Sequence, residues 1–226
     1  MARSPPARRP LGPVPAAALR PWSTAVARTP GMAHRAEHVG RHRCRSPRPG
    51  AADTATTTCT YNPRGATPAL GGRRNSTEAG QFDNAPVETR DDVIVFTSES
   101  FGESLDIIGI PHIEVSVSVD NPHADLFVRL CDVDENGMST NFADGIRRLD
   151  PNVTAGRRQT VSLDLDPCAR RIQAGHRLRL QIAGGAHPRF ARNLGTGEPP
   201  EHGTTTHTTR HTIHHDDTKL TLPVEN

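Results

Sequence analysis

Period-two alternation of apolar and polar side chains most narrows what this chain can become. Ile113, Val115, Val117 and Val119 alternate with Glu114, Ser116 and Ser118. Val161, Leu163 and Leu165 alternate with Ser162 and Asp164, and Leu178, Leu180 and Ile182 with Arg179 and Gln181. Leu126, Val128 and Leu130 share one face while Phe127 and Arg129 take the other, and Leu220, Leu222 and Val224 close the chain in the same way. Successive side chains of a strand point to opposite sides, so this pattern predicts strands with one buried face. Val93 to Phe96 is an unbroken apolar run and predicts a central strand covered on both faces.

Breakers separate these runs: Asn121-Pro122, Asn136-Gly137, Asp150-Pro151-Asn152 and Ala174-Gly175. Asn136-Gly137 predicts a tight hairpin. Asp166 to Ile172 fits one short helical turn, with Asp166 as N-cap and Pro167 at the first helical position. Eight or more short strands joined by loops predict an all-β fold, a jelly-roll-like two-sheet β-sandwich.

The pattern fails at the N-terminus. Residues 1–50 hold nine prolines and ten arginines against one acid, Glu37, for a net charge of +9. Residues 51–226 hold 17 basic and 24 acidic residues, a net of −7, and the two add to the overall +2. Residues 1–56 are therefore expected to be a disordered or non-native Pro/Arg-rich segment, with a transit-like targeting segment and a basic arm as alternatives. The acidic body excludes a uniformly basic nucleic-acid-binding chain. The sequence has no 18-residue apolar run that would make a membrane span. The expectation is a cytoplasmic protein with neither nucleic acid nor membrane as partner.

Sequence motifs for chemistry are sparse. The chain has no G-x-S-x-G turn, no phosphate-binding loop and no dinucleotide fingerprint after a strand. A Ser-His-Asp site can assemble from scattered residues, but nothing in the sequence nominates a set. Asp132, Asp134, Asn136 and Gly137 match the first half of a calcium loop, yet position twelve is Ala143 instead of a bidentate Glu, so a hairpin is the better reading. His207, His211, His214, His215, Asp216 and Asp217 form a metal-like cluster in a Thr-rich, strand-forming stretch, where a structural strand and its loop is expected. His187, Arg189 and Arg192 flank Phe190 and suit either an anion or, more commonly, ion pairs that tie down a loop. Cys44, Cys59, Cys131 and Cys168 lack metal-like spacing, and Cys131 reads as a small buried hydrophobe. No catalytic, cofactor-binding or metal residue is assigned, and no cofactor is expected.

Several stretches resemble a known family. Asp83-Asn84-Ala85-Pro86-Val87-Glu88-Thr89-Arg90-Asp91-Asp92 running into Val93-Ile94-Val95-Phe96-Thr97-Ser98 resembles the entry into the C-terminal domain of cocaine-esterase / X-prolyl dipeptidyl-peptidase (CocE/NonD) hydrolases. Asn141 to Arg147, Gly175 to Ala183, Pro188 to Asn193 continuing to Thr196-Gly197-Glu198, and Thr212 to Asp216 follow in the family's order. The resemblance covers about residues 57–226, with 57–82 as the linker and 83–226 as the domain.

The resemblance implies a galactose-binding-like jelly roll packed against an α/β-hydrolase catalytic domain that lies N-terminal to it and carries the catalytic Ser, Asp and His. It implies ester or amide hydrolysis, including X-Pro peptides, for the whole enzyme. Roughly 80 residues precede the Asp83 stretch, against the ~250 a hydrolase domain with its cap occupies. The family's Gly-Pro-Trp-x-His stretch is matched only by Pro21-Trp22-Ser23, with Arg20 for Gly and Thr24 in place of the base. A truncated or frame-shifted member without activity alone is expected, so the chain's status as an enzyme is open. Its expected partner is a catalytic domain, or a second copy held through an apolar face left uncovered. The alternative is a free-standing carbohydrate- or ligand-binding module.

Overall fold

The computed structural model describes residues 20–21, 56–199 and 201–225. Apart from Arg20–Pro21 and Thr56, the segment expected to be disordered or non-native lies outside them, as do Trp22 and Cys44. Among the described residues the strands are β1 (Arg20–Pro21), β2 (Thr56–Tyr61), β3 (Val93–Thr97), β4 (Leu105–Gly109), β5 (His112–Val119) and β6 (Asp125–Val133). They continue with β7 (Ser139–Arg148), β8 (Gln159–Asp164), β9 (Cys168–Ile172), β10 (Arg177–Ala183), β11 (Thr209–Thr221) and β12 (Val224–Glu225). One four-residue helix, α1 (Ala85–Glu88), precedes β3.

These strands form a five-stranded sheet, β1-β3-β10-β6-β7, and a four-stranded sheet, β2-β11-β5-β8. A small sheet, β12-β4-β9, adds a third set. All pairings are antiparallel except the two-residue β1, which lies parallel to β3. The two larger sheets face each other, as expected of a jelly-roll-like sandwich. Ile94, Phe96, Leu126, Val128, Leu130, Leu178, Leu180 and Ile182 come from one. Ile113, Val115, Val117, Val161, Leu163, Ile213 and Leu220 come from the other. This is the alternation read from sequence, with the apolar set of each strand turned to a shared interior.

The Asn136-Gly137 hairpin joins β6 to β7. Gly137 N–H donates to the Asp134 carbonyl at 3.1 Å, and Gly137 takes φ +88, which a side chain would strain.

Four details differ from the sequence reading. Residues 57–82, expected as a linker, contain β2, whose partners run from Tyr61↔Thr209 to Thr56↔His214. Residues 166–172 form no helical turn, because Cys168–Ile172 pairs with β4 and Arg171 bonds Asp106 across the ladder at 2.7 Å. The closing run is split at Pro223, with Leu220 in β11 and Val224 in the small sheet. The 93–97 strand is covered on both faces, but among the described residues its neighbours are β10 and the two-residue β1, so it sits near the sheet edge.

A second apolar cluster explains that double cover. Ala69, Val87, Val93, Phe127, Ala183 and Ala186 gather on the outer face of the five-stranded sheet, under the segments before β3 and after β10. The outer face of the other sheet is polar, with Thr58, Thr60, Glu114, Ser118, Thr160 and Ser162 outward. Among the described residues the exposed large apolar side chains are Phe82, Ile108, Ile110 and Met138.

Candidate functional site

Strand alternation carries charged side chains onto the covered face of the five-stranded sheet. Arg129 follows Phe127 on the outward side of β6, and β7 lays Asp144 opposite it. Arg129 Nη2 and Nε donate to Asp144 Oδ2 at 2.9 and 3.2 Å, and Nη1 donates to Asn84 Oδ1 at 2.7 Å and to the Leu70 carbonyl at 2.5 Å. Arg189 Nη2 lies 2.9 Å from Asp144 Oδ1, without hydrogen-bond alignment, and donates to Asp166 Oδ2 at 2.7 Å. Burial pushes the Asp144 carboxyl above its ordinary range, and Arg129 and Arg189 pull it back.

Two further ion pairs flank the sheet, Glu88–Arg179 on the same face and Asp132–Arg170 on the side of Leu178. Glu88, on α1, accepts from Arg179 Nη1 at 2.5 Å and from Gln181 Nε2 at 2.8 Å. Asp132 accepts from Arg170 Nη2 at 2.6 Å and sits 2.8 Å from His176 Nδ1. Each of these carboxylates meets a cation, so those of Asp144 and Glu88 are suited to fixing the cover on the sheet rather than to attacking a substrate. Cys131 sits beneath it, and burial drives its thiol up to about 12, far from a thiolate nucleophile.

Such pairings account for two of the sets singled out in the sequence. In the calcium-like set, Asp132 is spent on Arg170 and His176. Asp134 Oδ1 accepts the Asn136 and Met138 N–H groups at 2.9 and 2.8 Å, which is hairpin chemistry. Around Phe190, Arg189 makes the expected ion pairs, while Arg192 reaches the Pro63 carbonyl at 3.3 Å.

The histidines of residues 207–215 are dispersed. His211 is buried, with Nε2 at 2.9 Å from the Asp125 carbonyl oxygen. His214 lies 3.1 Å from Ser118 Oγ and His215 2.9 Å from Thr57 Oγ1, with its ring edge-on to Phe96. Asp216 and Asp217 are both held by Arg158, at 2.7 and 2.6 Å. Among the described residues no three His, Cys, Asp or Glu side chains converge as metal ligands.

Another constellation was not nominated from sequence. On the outer face of the four-stranded sheet, His112 Nδ1 lies 2.6 Å from Asp164 Oδ1 and Nε2 lies 3.0 Å from Ser162 Oγ. The available signal was the polar side of the β8 alternation, Ser162-x-Asp164; only the pairing of β5 with β8 brings His112 to it. Two grooves of about 200 and 190 Å³ flank Arg148. His123, Asn193 and Glu198 line the first, and Arg147, Gln159 and Ser162 the second.

Comparison with known proteins places this architecture. A family model described as the X-Pro dipeptidyl-peptidase C-terminal non-catalytic domain matches residues 27–221, starting ahead of the motif-level resemblance. The chain is 27% identical over 147 residues to cocaine esterase of Rhodococcus sp. (strain MB1 Bresler), covering 61% of this chain and 26% of that protein. A solved alpha-amino acid ester hydrolase superposes with a TM-score of 0.67 at 20% identity, over 79% of this chain and 34% of the other. An aminopeptidase from a marine sediment archaeon, Thaumarchaeota archaeon, does so with a TM-score of 0.63 at 19% identity, over 78% and 34%. The chain thus spans about a quarter of the curated relative and about a third of the solved structures. At these identities the structural matches establish the shared sandwich.

Proposed function

The chain belongs to the family of X-Pro dipeptidyl-peptidase C-terminal non-catalytic domains, and from that membership we propose that it is the accessory sandwich of a serine hydrolase of the ester, amide or X-Pro dipeptidyl-peptidase type. In this reading an α/β-hydrolase catalytic domain supplies the serine, acid and histidine. The sandwich docks on it and holds it, and these 226 residues cleave no X-Pro peptide by themselves. The observation that carries the reading is the family match across residues 27–221. The absence of a G-x-S-x-G turn from the sequence and the full pairing of the buried carboxylates support it. A cytoplasmic location belongs to the same proposal, supported by the free thiols of Cys59, Cys131 and Cys168.

The test is hydrolysis of X-Pro p-nitroanilides by the purified chain. The expected result is a rate equal to that without protein. Turnover that co-purifies with the chain and is blocked by a serine-directed inhibitor overturns the proposal.

A further inference from the structure

His112 opens β5, and Ser162 and Asp164 occupy alternate positions of the neighbouring β8. The register sets His112 opposite Asp164 and Glu114 opposite Ser162, so all three side chains rise from the same face on two hydrogen-bonded strands. The imidazole lies between the other two groups, with Nδ1 at 2.6 Å from the carboxylate and Nε2 at 3.0 Å from the hydroxyl. A carboxylate on Nδ1 fixes the tautomer that leaves Nε2 free to accept the serine proton, and it stabilises the imidazolium that results.

A second observation concerns the sheet edge. β8 is the outer strand of its sheet, and Arg147 Nη2 donates to the Ser162 carbonyl at 3.3 Å from the β7 side. In an antiparallel ladder one residue's N–H and C=O point the same way, so the Ser162 N–H also turns off the edge, away from β5. An oxyanion on a carbon bonded to Ser162 Oγ would therefore find two donors near it, the Ser162 N–H and the Arg147 guanidinium. Arg147 is in no ion pair among the described residues. Ser162 and Arg147 share the groove of about 190 Å³, room for a small acyl group.

We propose that Ser162, His112 and Asp164 form a slow acyl-transfer site on the sandwich itself, acting on small activated carboxylic esters. The site goes beyond the docking role and does not rest on it. Ser162 Oγ bonds to the ester carbonyl carbon as its proton passes to His112 Nε2. The bond from that carbon to the leaving phenolate oxygen then breaks, and the phenolate departs with the proton from His112 or leaves it on the imidazolium, which sheds it to solvent. Water next attacks the acyl-serine, giving one proton to Nε2; the bond from the carbonyl carbon to Ser162 Oγ breaks, Nε2 returns that proton to Oγ, and the carboxylic acid leaves. Asp164 touches no reacting atom and is a positioning residue. The side chains of His112 and Asp164 are 38% and 70% exposed, so water competes for both contacts. That restricts the site to good leaving groups and leaves amides uncleaved.

The experiment uses p-nitrophenyl acetate and the purified full chain. Release of nitrophenolate should begin with a burst, and peptide mass spectrometry should locate the acetyl group on Ser162. Ser162→Ala should abolish the burst, Ser162→Cys should keep an acylable nucleophile, and His112→Gln should slow acylation at least ~10-fold. Asp164→Asn should keep the acetylation site while lowering the acylation rate constant and leaving the half-saturating ester concentration unchanged. Acetyl found only elsewhere, or a Ser162→Ala chain that reacts as fast as the parent, overturns the proposal. An Asp164→Asn chain acylated as fast as the parent overturns the role given to Asp164. X-Pro anilide turnover that survives Ser162→Ala sinks the docking reading alone, whereas acetylation of Ser162 without anilide turnover supports both.

Discussion

Arg129 Nη2 and Asp144 Oδ2 meet at 2.9 Å with 2% of each side chain exposed, joining β6 to β7 beneath the covering segment. Removing one partner strands the other charge away from water. Asp144→Ala is expected to cost about 3–5 kcal/mol of unfolding free energy, and Arg129→Met combined with Asp144→Leu should recover much of that loss. Urea titration of the three chains measures it; a double variant no more stable than Asp144→Ala would refute the expectation.

Gly72 tests the same layer from above. Its backbone has φ +86, and a Cβ there would lie 2.5 Å from Arg189 Nη1 and 2.9 Å from Asp144 Oδ2. Gly72→Ala combines a strained backbone with a collision on the ion pair, for a loss of about 1–3 kcal/mol. Gly137→Ala is the control, because it has φ +88 with open space around the added carbon. Thermal unfolding should place Gly72→Ala clearly below it.

His211 makes stability depend on pH. Burial holds its imidazole below the ordinary value of 6.5, although its Nε2 bond to the Asp125 carbonyl opposes the shift. The unfolded chain therefore binds the proton first as pH falls. The stabilisation is present above about 6.5 and is lost progressively below it. Denaturation midpoints from pH 8 to 5 should drop for the parent, and the gap between the parent and His211→Gln should narrow over that range.

The buried thiols are expected to be inert. Burial raises Cys59 and Cys131 to about 12 and Cys168 to about 11. Iodoacetamide at pH 8 should leave Cys59 and Cys131 unmodified in the native chain and label both in denaturant, as read by peptide mapping. Rapid native labelling of Cys131 would contradict its placement under Gln181.

The strands were legible where one face is apolar and the other polar, as in 113–119 and 178–182. Period two says which side of a strand is buried, but not which strand lies beside it. That is why β2, a Thr-rich run with only Cys59 and Tyr61 buried, read as linker until β11 paired with it. It is also why His112 and Ser162, fifty residues apart, could not be joined from sequence. The charges of β6 and β10 were visible as an outward set, yet their burial depends on a cover supplied by loops, which carry no periodicity. The Asp166-Pro167 cap signal lost to the ladder that β9 makes with β4.

Thr57 and His215, hydrogen-bonded at 2.9 Å, stand 158 residues apart in sequence. Among the described residues β2 has no ladder partner except β11, so it leaves the ribosome long before the strand that will hold it. Closure of the four-stranded sheet thus waits for β11, reached through loop closures that make such topologies slow to fold. The nascent chain must meanwhile keep an unpaired β-forming segment in solution, which makes holdase chaperones and low expression temperature the practical routes to soluble material.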